Sequence, residues 1–258
     1  MEVRGRVVVV TGASAGIGEA TAQAFARRGA KVVLAARRIE RLEELASRIE
    51  AAGGRALAVR CDVGVPGQLE RLATVIEESL GPPDVLINNA GIPGRGAFAD
   101  LTYDEIERVV RVNLLGVLFG TRVFLPGMLQ RRRGHVVNVA SLAGRFAVPG
   151  APVYSATKHA VVAFSESMSA TTKPNGVLVT AVNPGFVPTE GFPQTNRPGI
   201  VSLTAEQVGE AIVKVVRQDI APEYSIPRWI APLQAFRVLT PPLYRWAADR
   251  IARRDEPI

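Results

Sequence analysis

Tyr154 and Lys158 stand four positions apart in VYSATKHAVVAFSES, a run that reads as a helix. On a helix that spacing puts both side chains on one face, one turn apart. An ammonium beside a phenol favours the phenolate, which draws the tyrosine pKa toward the working pH. A tyrosine in that position protonates a carbonyl oxygen or takes the proton from an alcohol. Ser141 closes the apolar run HVVNVAS upstream, where its hydroxyl could hold the same oxygen. Tyr–Lys pairs one turn apart also decorate many solvated helices. The pair therefore carries chemistry only if other segments build a site around it.

Those segments begin at the N-terminal side. RVVVVTG (6–12) is a β-branched run of the kind found in strands buried on both faces. The turn Gly12-Ala13-Ser14-Ala15-Gly16-Ile17-Gly18 follows, and then EATAQAFARRG reads as a helix closed by Gly29. In a strand–turn–helix context, missing side chains let the backbone approach a pyrophosphate, and the helix N-terminus turns N–H groups toward it. A bare βα turn would need the same glycines. The second strand, KVVLAARR, ends on Ala36, Arg37 and Arg38. In a dinucleotide fold an acid at this strand end holds the ribose 2′-OH of NAD, whereas arginine suits a 2′-phosphate. Ala36 leaves no carboxylate there, so the sequence points to NADP, with Arg37 as the phosphate partner. Solvated arginines ahead of the next helix are the plainer reading.

RALAVRCDV then ends near Asp62, placed to meet an adenine edge, and DVLINNAG runs into Asn88-Asn89-Ala90-Gly91. Three βα units of this size predict a parallel sheet with right-handed crossovers, and ligands in such sheets bind beyond the carboxyl ends of the strands. Gly12, Arg37, Asp62 and Asn89 all fall at those ends. A single long helix is expected over 102–133, from a Thr102/Glu105 cap, with Asn113 in its apolar middle needing a hydrogen-bond partner. A sixth strand, VLVTAVNPG, stops at Asn183-Pro184-Gly185. The Gly/Pro-rich stretch 186–202 reads as a lid or binding loop, then a helix over 203–219 and a short strand, EYSIP, complete the pattern.

Composition narrows the class. The 258 residues are 47% hydrophobic and 21% charged, an ordinary globular balance. The lone Cys61 permits no internal disulfide and reads as a core filler, consistent with a reducing cytosol. The opening apolar run is too short for a signal peptide, and Arg111 and Asn113 interrupt the longest apolar stretch, so a soluble, cytoplasmic protein is expected. The net charge of +7 is scattered, and its one cluster, Arg131-Arg132-Arg133, sits where a helix ends and complements the helix dipole. That favours a fold role over nucleic-acid binding. Neither His135 nor His159 belongs to a metal-ligand pattern. The tail 228–258 carries both tryptophans, several prolines and interspersed arginines. It suits a subunit contact or a substrate entrance better than a membrane surface.

Taken together, Thr11 to Gly18, Asn88 to Gly91, Asn113, Ser141, Tyr154-x-x-x-Lys158 and Asn183-Pro184-Gly185 resemble the short-chain dehydrogenase/reductase family in order and spacing. The resemblance implies an α/β fold: a Rossmann-like three-layer αβα sandwich around a mostly parallel seven-stranded sheet. It would form a single domain, with 1–227 as the NAD(P)-binding part and 228–258 as its extension. It implies hydride transfer between NAD(P) and a carbonyl or alcohol. Tyr154 would be the general acid/base, Ser141 the partner of the carbonyl oxygen, and Lys158 the group that lowers the tyrosine pKa and binds the nicotinamide ribose. Asn113 would hold, through its backbone and side chain, a water that supplies protons to Lys158. The cofactor would lie along Gly12, Ser14, Ala15, Gly16, Ile17 and Gly18, then Arg37, Asp62, Val63, Asn89, Ala90 and Gly91. Pro184, Gly185, Val187 and Thr189 would meet the carboxamide end.

Two departures stand out. Ala15 replaces a basic family position beside the phosphate, which leaves NAD(H) use open beside NADP(H). Ser169 to Pro174 are poor helix formers where relatives carry a helical stretch, so the helix end there is in doubt. The chain therefore reads as an NADP(H)-preferring carbonyl reductase or alcohol dehydrogenase acting on a small, apolar molecule, assembled as a homodimer or homotetramer through 102–130 and 154–170. A non-catalytic NADP-binding regulator and an isomerase or lyase on the same fold remain the alternatives. The regulator is disfavoured because both Tyr154 and Lys158 are present.

Overall fold

The computed structural model describes residues 1–94, 96–192 and 202–243. The chain alternates strands and helices as β1 (Val7–Thr11), α1 (Gly16–Ala26), β2 (Lys31–Ala36), α2 (Ile39–Ala51), β3 (Arg55–Arg60), α3 (Pro66–Leu80) and β4 (Val85–Asn88). It continues through α4 (Tyr103–Val110), α5 (Gly116–Gln130), β5 (Gly134–Val139), α6 (Pro152–Thr172), β6 (Val177–Pro184), α7 (Ala205–Arg217), β7 (Glu223–Ile226) and α8 (Ala231–Leu239). Among the described residues one seven-stranded sheet forms in the order β3-β2-β1-β4-β5-β6-β7. Every neighbouring pair is parallel. The chain builds outward from β1 to β3, returns to β4 beside β1, and then builds outward the other way. The crevice beyond β1 and β4 is therefore the topological switch point.

Helices cover both faces, which is why β1 is an unbroken run of buried residues rather than an alternating one. Phe25 of α1, Leu42 and Leu45 of α2, and Ile212 of α7 pack on one face around Val8, Val10 and Leu34. Leu69, Leu72 and Ile76 of α3 and Phe124 and Met128 of α5 pack on the other, around Val9, Val33 and Leu86. Val161 and Val162 of α6 extend that second layer with Val117 and Ala181. The three-layer αβα architecture follows.

The segment expected as one uniform helix is continuous but not uniform. The Thr102/Glu105 capping box is present. At Arg111–Leu115, however, the backbone makes a π-helical turn between α4 and α5, centred on Asn113. Arg111 and Asn113 do interrupt the apolar run, but the expectation that no stretch reaches the length of a membrane span is corrected. Tyr103–Gln130 forms 28 helical residues, long and apolar enough by length and composition to cross a membrane, with 39% of its most apolar window buried in this fold. Its inner face, Val117, Phe124 and Met128, belongs to the core, so the helix is committed to the sheet on that side.

The end of α6, left in doubt by the poor helix formers at Ser169 to Pro174, is settled. The helix runs to Thr172, and a 3₁₀ turn at Lys173–Asn175 and Gly176 in the left-handed region (φ +77°) then stop it. Hydroxyls near its end bond back to the preceding turn, Thr171 Oγ1 to Ser167 O and Thr172 Oγ1 to Met168 O, which satisfies them within the helix, while buried Ser169 and Thr172 tie this end to the core. The arginine cluster is absorbed by the fold. Arg131 donates to Pro83 O, Arg132 to Pro174 O, and Arg133 pairs with Asp84, which also accepts from Val7 N. After β7 the chain turns at Arg228–Ile230 into α8, which is tied down by Gln234 donating to Glu223 and by Arg237 donating to His159 Nε2. The parts of the substrate-side loop and tail at 193–201 and 244–258 lie outside the described residues.

Candidate active site

The carboxyl ends of β1 and β4 are cross-linked before any ligand is considered. Thr11 Oγ1 accepts from Asn89 N and Ala90 N and donates to Ile87 O. Asn89 Nδ2 returns bonds to Thr11 O and Gly12 O. Gly12 has φ +67°, and a Cβ there would lie 2.8 Å from Ala90 Cα, so only glycine permits this approach. A Cβ on Gly18 would fall 2.3 Å from Gly12 O, which packs α1 against the turn. Over these strand ends runs a cavity of about 660 Å³. It brings together Gly12, Ser14, Ala15, Gly16, Ile17, Arg37, Asp62, Val63, Asn89, Ala90 and Gly91 along one arm. Ser141, Tyr154, Lys158, Pro184, Gly185, Val187 and Thr189 line the other. Of the residues predicted from sequence, Gly18 lies beneath this surface and Asn113 behind it.

Tyr154 sits in the first turn of α6 and is half-buried, while Lys158 one turn on is buried. Lys158 Nζ donates to Val139 O at 2.8 Å and lies 5.6 Å from the centroid of the Tyr154 ring. Burial pushes the Lys158 ammonium down to about 8. Its charge is therefore present at neutral pH and lost just above it. Ser141 caps the 3₁₀ turn Leu142–Gly144 by accepting from Ala143 N. That bond uses an acceptor site and leaves the hydroxyl proton for another oxygen. Asn113 is fully buried, accepts from Ile92 N at 2.8 Å and donates to Ile92 O at 2.9 Å. Its side chain thus pins the segment leaving β4, and a Cβ on Gly91 would stand 3.5 Å from Asn113 Oδ1 and 3.7 Å from Lys158 Nζ. Behind this, Asn88 Nδ2 donates to Asn138 Oδ1, whose Nδ2 donates to Ser165 Oγ, a buried chain from β4 through β5 to α6. Cys61 is buried and its thiol pushed up to about 11 by burial, so it is a filler rather than a nucleophile.

At the adenosine-side rim, Arg37 lines the cavity and is exposed. Its neighbour Arg38 is the one that reaches the glycine turn, donating to Ser14 Oγ at 3.1 Å. The end of β2 carries no carboxylate, Ala36 standing there, but another part of the chain brings one to the rim. Glu190, from the loop after β6, pairs with Arg38 at 2.9 Å and Arg41 at 2.5 Å. In the same loop, Thr189 and Phe192 form a small antiparallel bridge, and Thr189 packs where a Gly16 Cβ would be. Phe192 packs against the Tyr154 ring, with centroids 5.6 Å apart and the planes tilted by 60°. The catalytic end is otherwise apolar, with Pro93, Leu142, Val148, Ala151 and Phe186 in its walls.

This cradle fits a nicotinamide dinucleotide. The α1 N-terminus, at Ala15, has no side-chain cap, so its first N–H groups are free for a diphosphate. Lys158, Ser141 and Tyr154 supply polar groups at the opposite end. The sequence pattern of short chain dehydrogenases matches residues 6–198. Glycine betaine reductase ATRR of Emericella nidulans is 41% identical over 83% of this chain, which spans 18% of that longer protein. Ketoacyl reductase HetN of Nostoc sp. is 37% identical over 83% of this chain and 76% of its own length. Dehydrogenase/reductase SDR family member 7B of Bos taurus is 38% identical over 72% of this chain and 59% of its own. Among solved structures, a point variant of actinorhodin polyketide ketoreductase with NADPH superposes with a TM-score of 0.79 at 32% identity, covering 85% of this chain and 94% of that one. A short chain dehydrogenase/reductase from Burkholderia phymatum in complex with NAD gives 0.85 at 29% identity, covering 95% and 96%. The chain belongs to the short-chain dehydrogenase/reductase family, oxidoreductases that act between CH–OH and C=O groups with a nicotinamide cofactor.

Proposed function

We propose that the protein interconverts a ketone and a secondary alcohol, with Tyr154 as general acid/base, preferring NADP(H) and accepting NAD(H). The observation that carries this reading is the Tyr154–Lys158 pair itself. It opens onto the same cavity as the glycine turn, with the lysine charge buried 5.6 Å from the phenol ring. When bound, the cofactor supplies or accepts the hydride. Tyr154 gives its phenolic proton to the developing alkoxide in reduction and takes it back in oxidation. Lys158⁺ steadies the resulting phenolate, an effect strengthened by its removal from water. Ser141 donates its free proton to the substrate oxygen, and Asn113 holds the Ile92 segment and the π-helical turn that flank Lys158. Proton resupply to Lys158 runs past this turn.

Arg38 and Arg41 share the Glu190 carboxylate at the adenosine rim, and Arg37 stands beside them in the cavity lining, a basic cluster that favours a 2′-phosphate. The apolar walls around Tyr154 suit a hydrophobic ketone, and two similar proteins carry ketoacyl reductase and polyketide ketoreductase in their names. The partner is thus a small molecule rather than a nucleic acid or a membrane. The enzyme works in the cytoplasm as a homodimer or homotetramer through the outer faces of α4, α5 and α6. Light scattering checks the assembly. A carbonyl panel with NADPH and NADH checks the activity, where a net change in cofactor absorbance also separates a reductase from an isomerase. Tyr154→Phe abolishes turnover while retaining NADPH binding; full turnover in that variant overturns the mechanism.

A further inference from the structure

Where an NAD-binding fold carries an acid at the end of β2, this strand ends on Ala36, yet a carboxylate is supplied from 152 residues beyond Arg38. Glu190 lies in the cavity wall and bridges Arg38 and Arg41, with Arg38 also bonded to Ser14. Its two oxygens thus occupy the anion position beside the glycine turn. All three charged side chains are about half exposed, with 53% for Glu190, 43% for Arg38 and 47% for Arg41, so the pairing is held weakly and exchanges readily. The backbone around it is better held. Thr189 and Phe192 exchange backbone hydrogen bonds, and Phe192 rests on Tyr154.

We infer that Glu190 tunes the selectivity between NADPH and NADH, by competing with the 2′-phosphate for Arg38 and Arg41. A phosphate dianion carries more charge than the carboxylate and matches the guanidinium forks, so it displaces Glu190 and draws on part of its own binding energy to do so. A ribose with a free 2′-OH does not displace it, and the carboxylate stays as an acceptor near that hydroxyl. The loop therefore handicaps NADPH without blocking it. This rests on the dinucleotide reading of the cavity.

The test is calorimetric titration of NADPH and NADH into the wild-type protein, E190Q, R38A/R41A and the triple variant. The expected result is that E190Q tightens NADPH about three- to fivefold, the worth of an exposed ion pair, without tightening NADH. In the R38A/R41A background the E190Q change should vanish. An unchanged NADPH/NADH ratio in E190Q overturns the inference. So does weaker NADPH binding, which would make Glu190 a positioning residue for Arg38. Persistence of the effect without Arg38 and Arg41 also overturns it, since it would then be general charge repulsion. Failure of the wild type to bind either cofactor removes the dinucleotide site itself, whereas binding of both with an unaltered ratio removes only the role of Glu190.

Discussion

The two arms of the cavity are built on opposite principles. Around Tyr154, the polar groups that matter are buried and bonded to backbone or to one another: Asn113 to Ile92, Lys158 to Val139, Asn88 through Asn138 to Ser165. At the adenosine rim, Arg38, Arg41 and Glu190 are exposed and meet one another through water-screened charge. The first arrangement is dry and costly to disturb, because each buried group loses its solvation along with its partner. The second is wet and cheap to rearrange. Chemistry needs atoms held within fractions of an ångström, whereas choosing between two nucleotides needs only a difference in affinity. Breaking each arm in turn should give effects of different kind as well as size.

The largest effect is expected at the reacting atom. Tyr154→Phe removes the phenolic proton from the site and should lower kcat by about 10²–10⁴-fold, with the cofactor dissociation constant nearly unchanged by titration. Next comes Asn113→Ala. It orphans the Ile92 N–H and C=O inside the protein and should cost about 2–4 kcal/mol of stability, read from urea unfolding. Ser14→Ala, at the exposed rim, should change stability by less than about 0.5 kcal/mol. Similar losses for the two variants would erase the distinction between the arms.

Lys158 sharpens the contrast through pH. Burial lowers its pKa from 10.5 in the unfolded chain to about 8 in the folded one. Between those values the unfolded chain binds a proton that the folded chain does not. Stability should therefore rise with pH, by about 2 kcal/mol from pH 8 to pH 10 for this group alone. Lys158→Met removes this gain, so the difference between the wild-type and variant unfolding profiles isolates it. If Lys158 steadies a Tyr154 phenolate as proposed, the wild-type kcat for ketone reduction should fall over the same range, because that charge is lost above pH 8. A stability difference that is flat with pH would mean that Lys158 keeps its proton when buried.

The buried arm was also the more legible one in the sequence. Helix periodicity places Tyr154 and Lys158 on one face without reference to anything else in the chain, and strand–glycine–helix order places Gly12 to Gly18. The polar Asn113 in an apolar run demanded a partner, although nothing local named Ile92 or announced the π-helical turn. The α6 end was left open by propensity, which takes no account of the tertiary packing of the buried Ser169 and Thr172. The exposed arm was legible only in composition. That arginines crowd the end of β2 is visible, but which of them turns inward is not, since the strand alternation stops at Ala36. Glu190 was unreadable there, because a loop with no period brings it from the far side of the chain.

A smaller effect is the most discriminating for that arm. Arg38 contacts Ser14 through Nε and Nη2 and Glu190 through Nη1, while Arg37 lines the same rim without a comparable set of contacts among the described bonds. Arg38→Ala should therefore weaken NADPH about tenfold, the worth of one charge-assisted contact to phosphate, and leave NADH and the unfolding midpoint almost unmoved. Arg37→Ala should weaken NADPH less. If Arg37→Ala has the larger effect, the 2′-phosphate is read by the residue that the strand ending alone suggests, and Arg38 serves only to hold Ser14 and Glu190 together.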